Sequence, residues 1–80
     1  MTTQSSGKGE AIRTDVAGRV WRVEVSVGAR VEADAVLLIL ESMKMEVPVH
    51  APFAGTVAEL PVGEGDPVEE EAVVAVLTPA

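Results

Sequence analysis

Val36-Leu37-Leu38-Ile39-Leu40-Glu41-Ser42-Met43-Lys44-Met45-Glu46-Val47-Pro48-Val49-His50-Ala51 is the stretch on which the fold turns. In its second half Val47, Val49 and Ala51 alternate with Pro48 and His50, the period of two that belongs to a β-strand. Strands over residues 36–42 and 45–51 leave only Met43-Lys44 between them. A two-residue hairpin turn favours Asn-Gly, Asp-Gly or a leading Gly, because its central residues take positive φ. Met-Lys is poor turn chemistry by that standard. It also sets two large flexible apolar side chains, Met43 and Met45, beside a solvent-exposed tip. A chain that obeys local rules elsewhere and breaks them at one exposed point invites a functional reading. Exposed methionines suit a surface that another protein grips, since the thioether chain moulds to its partner.

Outward from the hairpin, the chain repeats itself. Shifted by 37 positions, Ala17-Gly18-Arg19-Val20 falls on Ala54-Gly55-Thr56-Val57 without a gap. In the same register Val25 meets Val62, Gly28 meets Gly65, Val31-Glu32 meets Val68-Glu69, Ala35-Val36 meets Ala72-Val73 and Leu40 meets Leu77; upstream, Ile12 meets Val49. Glycines and core valines coinciding together indicate an internal duplication. Strands are expected over residues 11–14, 18–25, 30–31, 36–42, 45–51, 55–60, 67–68 and 73–77, which predicts an all-β flattened barrel of about eight short strands. Gly18, Gly28, Gly55 and Gly65 sit at matching turn positions, where positive φ is the expected reason for glycine. None of them forms a phosphate-cradling pattern. Glu69-Glu70-Glu71 resembles a helix start but is too short to nucleate one, and reads as a solvated acidic turn.

Composition narrows the function classes. With 80 residues the chain forms one domain with a modest core, over residues 10–80, behind a disordered polar tail over residues 1–9. Trp21 and Phe53 are the only aromatics, so the core falls to Val, Leu, Ile and Ala. A net charge of −7 without a basic stripe argues against nucleic acid and anionic membranes as partners. The tail has neither an apolar h-region nor an arginine-rich amphipathic pattern, and the apolar run over residues 35–40 is too short to cross a bilayer. There is no cysteine, which excludes disulfides, thiolate metal sites and cysteine nucleophiles and fits a reducing compartment. A soluble, cytoplasmic protein is expected.

The motif then becomes specific. Glu41-Ser42-Met43-Lys44-Met45 resembles the attachment motif of biotinyl domains, the biotin carboxyl carrier proteins, in which Met-Lys-Met flanks the lysine that receives biotin. The likeness includes Ala51-Pro52-Phe53-Ala54-Gly55-Thr56-Val57 and Val62-Gly63-Glu64-Gly65-Asp66-Pro67-Val68, and spans roughly residues 12–77. It implies a barrel-sandwich hybrid of two antiparallel four-stranded sheets related by a pseudo-twofold axis, with the lysine on the turn joining the halves. The ungapped repeat leaves no room for the protruding thumb that some members insert. The resemblance implies Lys44 as the site of covalent biotin, Met43 and Met45 as recognition elements for a biotin protein ligase, and Glu41 and Ser42 as the rest of the motif. It implies a non-catalytic carrier serving the biotin carboxylase and carboxyltransferase of a biotin-dependent carboxylase such as an acyl-CoA carboxylase.

Departures from the family pattern are Gly28-Ala29, Ala33-Asp34, Thr14-Asp15 and Glu70-Glu71, expected to lie in loops away from Lys44. Two other readings stand beside this one. Lipoyl domains share the fold but carry Asp-Lys-Ala at the turn, against which Met43 and Met45 argue; an unmodified barrel used only for protein contacts is the third. His50, the single histidine, has no Ser, Asp or second His at catalytic or metal spacing and reads as a strand-surface residue. Trp21 reads either as a partner contact or as a partly buried packing residue.

Overall fold

The computed structural model describes residues 9–80. The tail expected over residues 1–9 therefore lies outside the described residues, except for Gly9, which packs against Val76 and Leu77. Eight strands follow in order: β1 (Glu10–Arg13), β2 (Gly18–Val23), β3 (Arg30–Val31), β4 (Val36–Ser42), β5 (Met45–His50), β6 (Gly55–Glu59), β7 (Pro67–Val68) and β8 (Val73–Pro79). Every expected strand is present; β3, β4 and β7 have the expected bounds, and the ends of the other five differ by at most two residues. β2 stops at Val23, two residues early, because the chain enters a turn closed by the Ala29 N–H donating to the Ser26 carbonyl. β6 stops one residue early. Its counterpart β2 gains a further rung, Glu24 N–H to the Leu37 carbonyl, where the second half has Pro61 and no donor.

The strands form two antiparallel four-stranded sheets, ordered β1-β8-β6-β3 and β5-β4-β2-β7. No ladder joins β1 to β5 or β3 to β7 among the described residues, so the barrel is flattened and open along two seams. Adding four to each strand number of the first sheet, cyclically, reproduces the second in order. That is the pseudo-twofold axis the repeat implies, and it extends to single rungs. Glu10↔Leu77 in one sheet corresponds to Val47↔Leu40 in the other, and Gly55↔Val31 corresponds to Gly18↔Val68. The bulges correspond as well. Leu37 and Val74 are the extra residues opposite β5 and β1, which lets adjacent pairs, Leu37-Leu38 and Val74-Ala75, both face inward.

The core is built from these symmetry mates: Val20 with Val57, Val31 with Val68, Leu38 with Ala75, Leu40 with Leu77. Phe53 packs at its margin and no aromatic lies within it. Each fully buried leucine contributes about 1.5–3 kcal/mol relative to an exposed one. One buried position breaks the symmetry chemically: Thr14 stands where the other half has Ala51. Its hydroxyl accepts from the Val16 N–H at 3.1 Å and donates to the Val16 carbonyl at 3.0 Å, so the polar atom is satisfied inside its own turn.

The four matching glycines divide into two kinds. Gly28 and Gly65 have φ of 93° and 92°, as expected. Gly18 and Gly55 do not take positive φ, contrary to the sequence expectation. A Cβ at Gly18 would collide with the Glu41 carbonyl oxygen, and one at Gly55 with that of Thr78. Glycine is required there because two backbones run in near contact. Positive φ appears instead at Asp34 (71°) and Glu71 (70°), each the third residue of a turn, with Ala35 N–H donating to Glu32 and Ala72 N–H to Glu69. This is type II geometry. Glu69-Glu70-Glu71 thus forms the acidic turn expected of it. The β2–β3 connection, residues 24–29, carries no thumb.

Candidate functional site

The site grows out of the β4–β5 ladder. Paired residues run from Val36↔His50 through Leu40↔Val47 and Glu41↔Glu46 to Ser42↔Met45, leaving Met43 and Lys44 to reverse the chain. Both are left-handed, with φ of 53° and 68°. This is the type I′ arrangement, in which two positive φ values match the twist of the flanking strands. Non-glycine residues held there cost on the order of 1–2 kcal/mol each. The ladder below the turn offsets that cost and makes the turn a fixed projection.

Two further contacts clamp its base. The Ser42 hydroxyl donates to the Ala17 carbonyl at 2.8 Å. Gly18 lets the start of β2 lie directly against Glu41 and Ser42. Above this base the side chains turn outward: Met43 is 92% exposed, Met45 65% exposed, and Lys44 is exposed between them. Among the described residues Lys44 makes no ion pair; the one salt bridge joins Arg22 to Glu24. Glu41 and Glu46 face each other across the ladder, with Arg19 on the other side of Glu41, forming a charged row just below the tip. The amine is therefore open to approach, which is what covalent loading by another protein requires.

Glu70-Glu71 lies in the β7–β8 loop, as expected, and that loop borders the hairpin on its Met43 side. With Val16, Ala17, Ser42, Met43 and Glu69 these residues line an open depression of about 710 Å³ beside the hairpin. The cause is the Gly18↔Val68 rung, which ties β7 to β2 and delivers the β7–β8 turn to the tip. Nothing local in the sequence announces a rung between positions so far apart. The contributions of Ala17 and Gly18 to the clamp were equally invisible. His50 sits exposed on edge strand β5, and Trp21 lies on β2, 43% exposed, with the Arg22 guanidinium carbon 5.7 Å from its ring centroid. Neither touches the tip. No cluster of three potential metal ligands occurs among the described residues, and no helix is long and apolar enough to cross a membrane.

Comparison with known proteins gives this turn a context. A family model described as biotin-requiring enzyme matches residues 6–77. The biotin/lipoyl attachment protein of Bacillus subtilis is 42% identical over 59 residues, covering 74% of this chain and 81% of that protein. A Mycobacterium leprae protein named biotinylated protein TB7.3 homolog is 39% identical over 69 residues, covering 86% of this chain and 97% of that one. Among solved structures, a single-chain, multi-domain long-chain acyl-CoA carboxylase superposes with a TM-score of 0.87 at 30% identity, over 100% of this chain and 8% of that chain. Domains of this kind are non-catalytic parts of carboxylases. The family-model match, the sequence identity and the coverage of full-length relatives place the chain in the biotin-requiring enzyme family, whose carrier domains hold biotin in covalent attachment.

Proposed function

We propose that Lys44 is the residue that receives biotin, and that the chain then carries a carboxyl group between the biotin carboxylase and the carboxyltransferase of a biotin-dependent carboxylase. The observation that carries this reading is a single exposed amine at the apex of a type I′ turn, flanked by two exposed methionines and clamped from below. A lysine at neutral pH is an ammonium ion and a poor nucleophile. Among the described residues no group is placed to take its proton, so activation belongs to a biotin protein ligase. There Nζ, once deprotonated, bonds to the carboxyl carbon of biotinyl-adenylate, and AMP leaves. Met43 and Met45 supply the apolar contacts for the ligase, while Glu41 and Ser42 complete the motif and Ser42 holds its base.

Bound biotin supplies a ring able to carry the carboxyl group. The rigid hairpin fixes where the arm begins, and tethering keeps its end at high effective concentration, in the millimolar range for short flexible links, at either active site. We place the chain in the cytoplasm, away from membranes and nucleic acid, on its charge and lack of cysteine. An acyl-CoA carboxylase is the proposed host of the cycle, on the likeness to part of the long-chain acyl-CoA carboxylase.

Incubation with a biotin ligase, ATP and biotin, followed by intact-mass and peptide analysis, tests the assignment. One biotinyl group on Lys44 is the expected product, and none on Lys44→Arg, which should fold like the parent because the side chain is exposed. Label elsewhere, a lipoyl group alone on the natural protein, or no label would reject it. Met43→Asp combined with Met45→Ala should lower the labelling rate at least tenfold without changing the melting temperature. A parent rate would remove the methionines from recognition.

A further inference from the structure

The sulfur chemistry of this domain is concentrated at one place. The sequence has three methionines and no cysteine, and the two that fall among the described residues are Met43 and Met45. Neither belongs to the core, and with 92% and 65% of their surfaces exposed both thioethers face solvent on either side of the acceptor lysine. Oxidation of a thioether is governed by access to the sulfur, and its product, the sulfoxide, is polar and chiral where the parent was apolar and flexible.

We propose that Met43 and Met45 are an oxidative modification site that governs whether Lys44 is accepted for biotinylation; this rests on the reading of both methionines as ligase contacts. A hydroperoxide delivers one oxygen: the S–O bond forms, the O–O bond breaks, the sulfur loses two electrons, and the peroxide departs as an alcohol, or as water from hydrogen peroxide. The new oxygen is a strong acceptor. An apolar ligase pocket shaped for a thioether must then bury it without a donor, which is unfavourable. The fold is untouched, because no buried contact of the core involves either side chain. Met43, the more exposed, reacts first. Reduction of the sulfoxides restores the apolar flanks, so the site is reversible.

The test uses the whole chain, treated with hydrogen peroxide until peptide mass analysis shows one added oxygen on each of Met43 and Met45. Biotin transfer by the ligase is then measured before treatment, after it, and after reduction with a mixture of methionine sulfoxide reductases for both epimers. The expected result is a fall in kcat/KM of at least about tenfold, with an unchanged melting temperature and recovery on reduction. Fully oxidised chain labelled at the parent rate overturns the proposal. So does a loss that persists once both sulfoxides are reduced, since it would report damage elsewhere. Absence of label on the untreated chain would instead refute the assignment of Lys44, so the two failures are distinct.

Discussion

The two ends of this molecule are built by the same operation and finish differently. At one end β4 and β5 are joined by Met43-Lys44; at the other their counterparts, β8 and β1, make the same ladder with no turn linking them directly. Even the anchoring contact is reproduced by different atoms. The Ser42 hydroxyl donates to the Ala17 carbonyl at the hairpin end, and the Ala80 N–H donates to the Ala54 carbonyl at the other. A duplicated unit thus yields two equivalent scaffolds but only one closed turn. The turn that carries Lys44, the proposed acceptor, has no counterpart at the other end, while the rigidity beneath it comes from the symmetry that holds elsewhere.

That comparison can be strained at several points. The largest effect is expected from the matched core leucines: Leu40→Ala and Leu77→Ala should each destabilise by about 2–5 kcal/mol. Chemical denaturation of the two variants should give values within about 1 kcal/mol of each other, and a wide gap would mean the halves are alike in shape but not in energy. Next come the close-approach glycines. Gly18→Ala and Gly55→Ala should each cost on the order of 1–3 kcal/mol, the usual range for an overpacked site. Only Gly18→Ala should also slow biotin transfer in folded protein, because only Gly18 lies under the hairpin. Equal labelling of both variants would show that the clamp does not reach the tip.

The smallest effect concerns the acidic turns. Asp34 and Glu71 both occupy positive φ near 70°. Aspartate tolerates that region through local hydrogen bonding, whereas glutamate does not share this advantage. Glu71→Gly should therefore raise stability by about 0.5 kcal/mol, and Asp34→Gly should leave it nearly unchanged, the relief of strain being set against a freer unfolded chain. A larger gain at Asp34 would invert this account of the turns.

Much of the molecule was legible beforehand because it is written in local periods. Alternation along residues 47–51 marked β5, and the shift of 37 positions aligned glycines and valines that prove to be symmetry mates. The odd turn at Met43-Lys44 stood out against hairpin rules, and the left-handed φ of both residues shows why ordinary turn chemistry would have been expected there. Gly18 and Gly55 were recognised as special for the wrong reason. A positive φ and a crossing backbone demand the same residue, and only the position of Glu41 or Thr78 tells them apart.

Strand period, duplication, the place of the turn and the family motif are properties of residues near one another in the chain, or of the same pattern met twice, so the sequence alone determined them. The clamp of Ala17 and Gly18 on Ser42, the acidic turn beside Met43 and the interleaving of both halves in each sheet were decided only in three dimensions. They depend on which distant strands share a rung, and that follows from the joint packing of both sheets around a single apolar core.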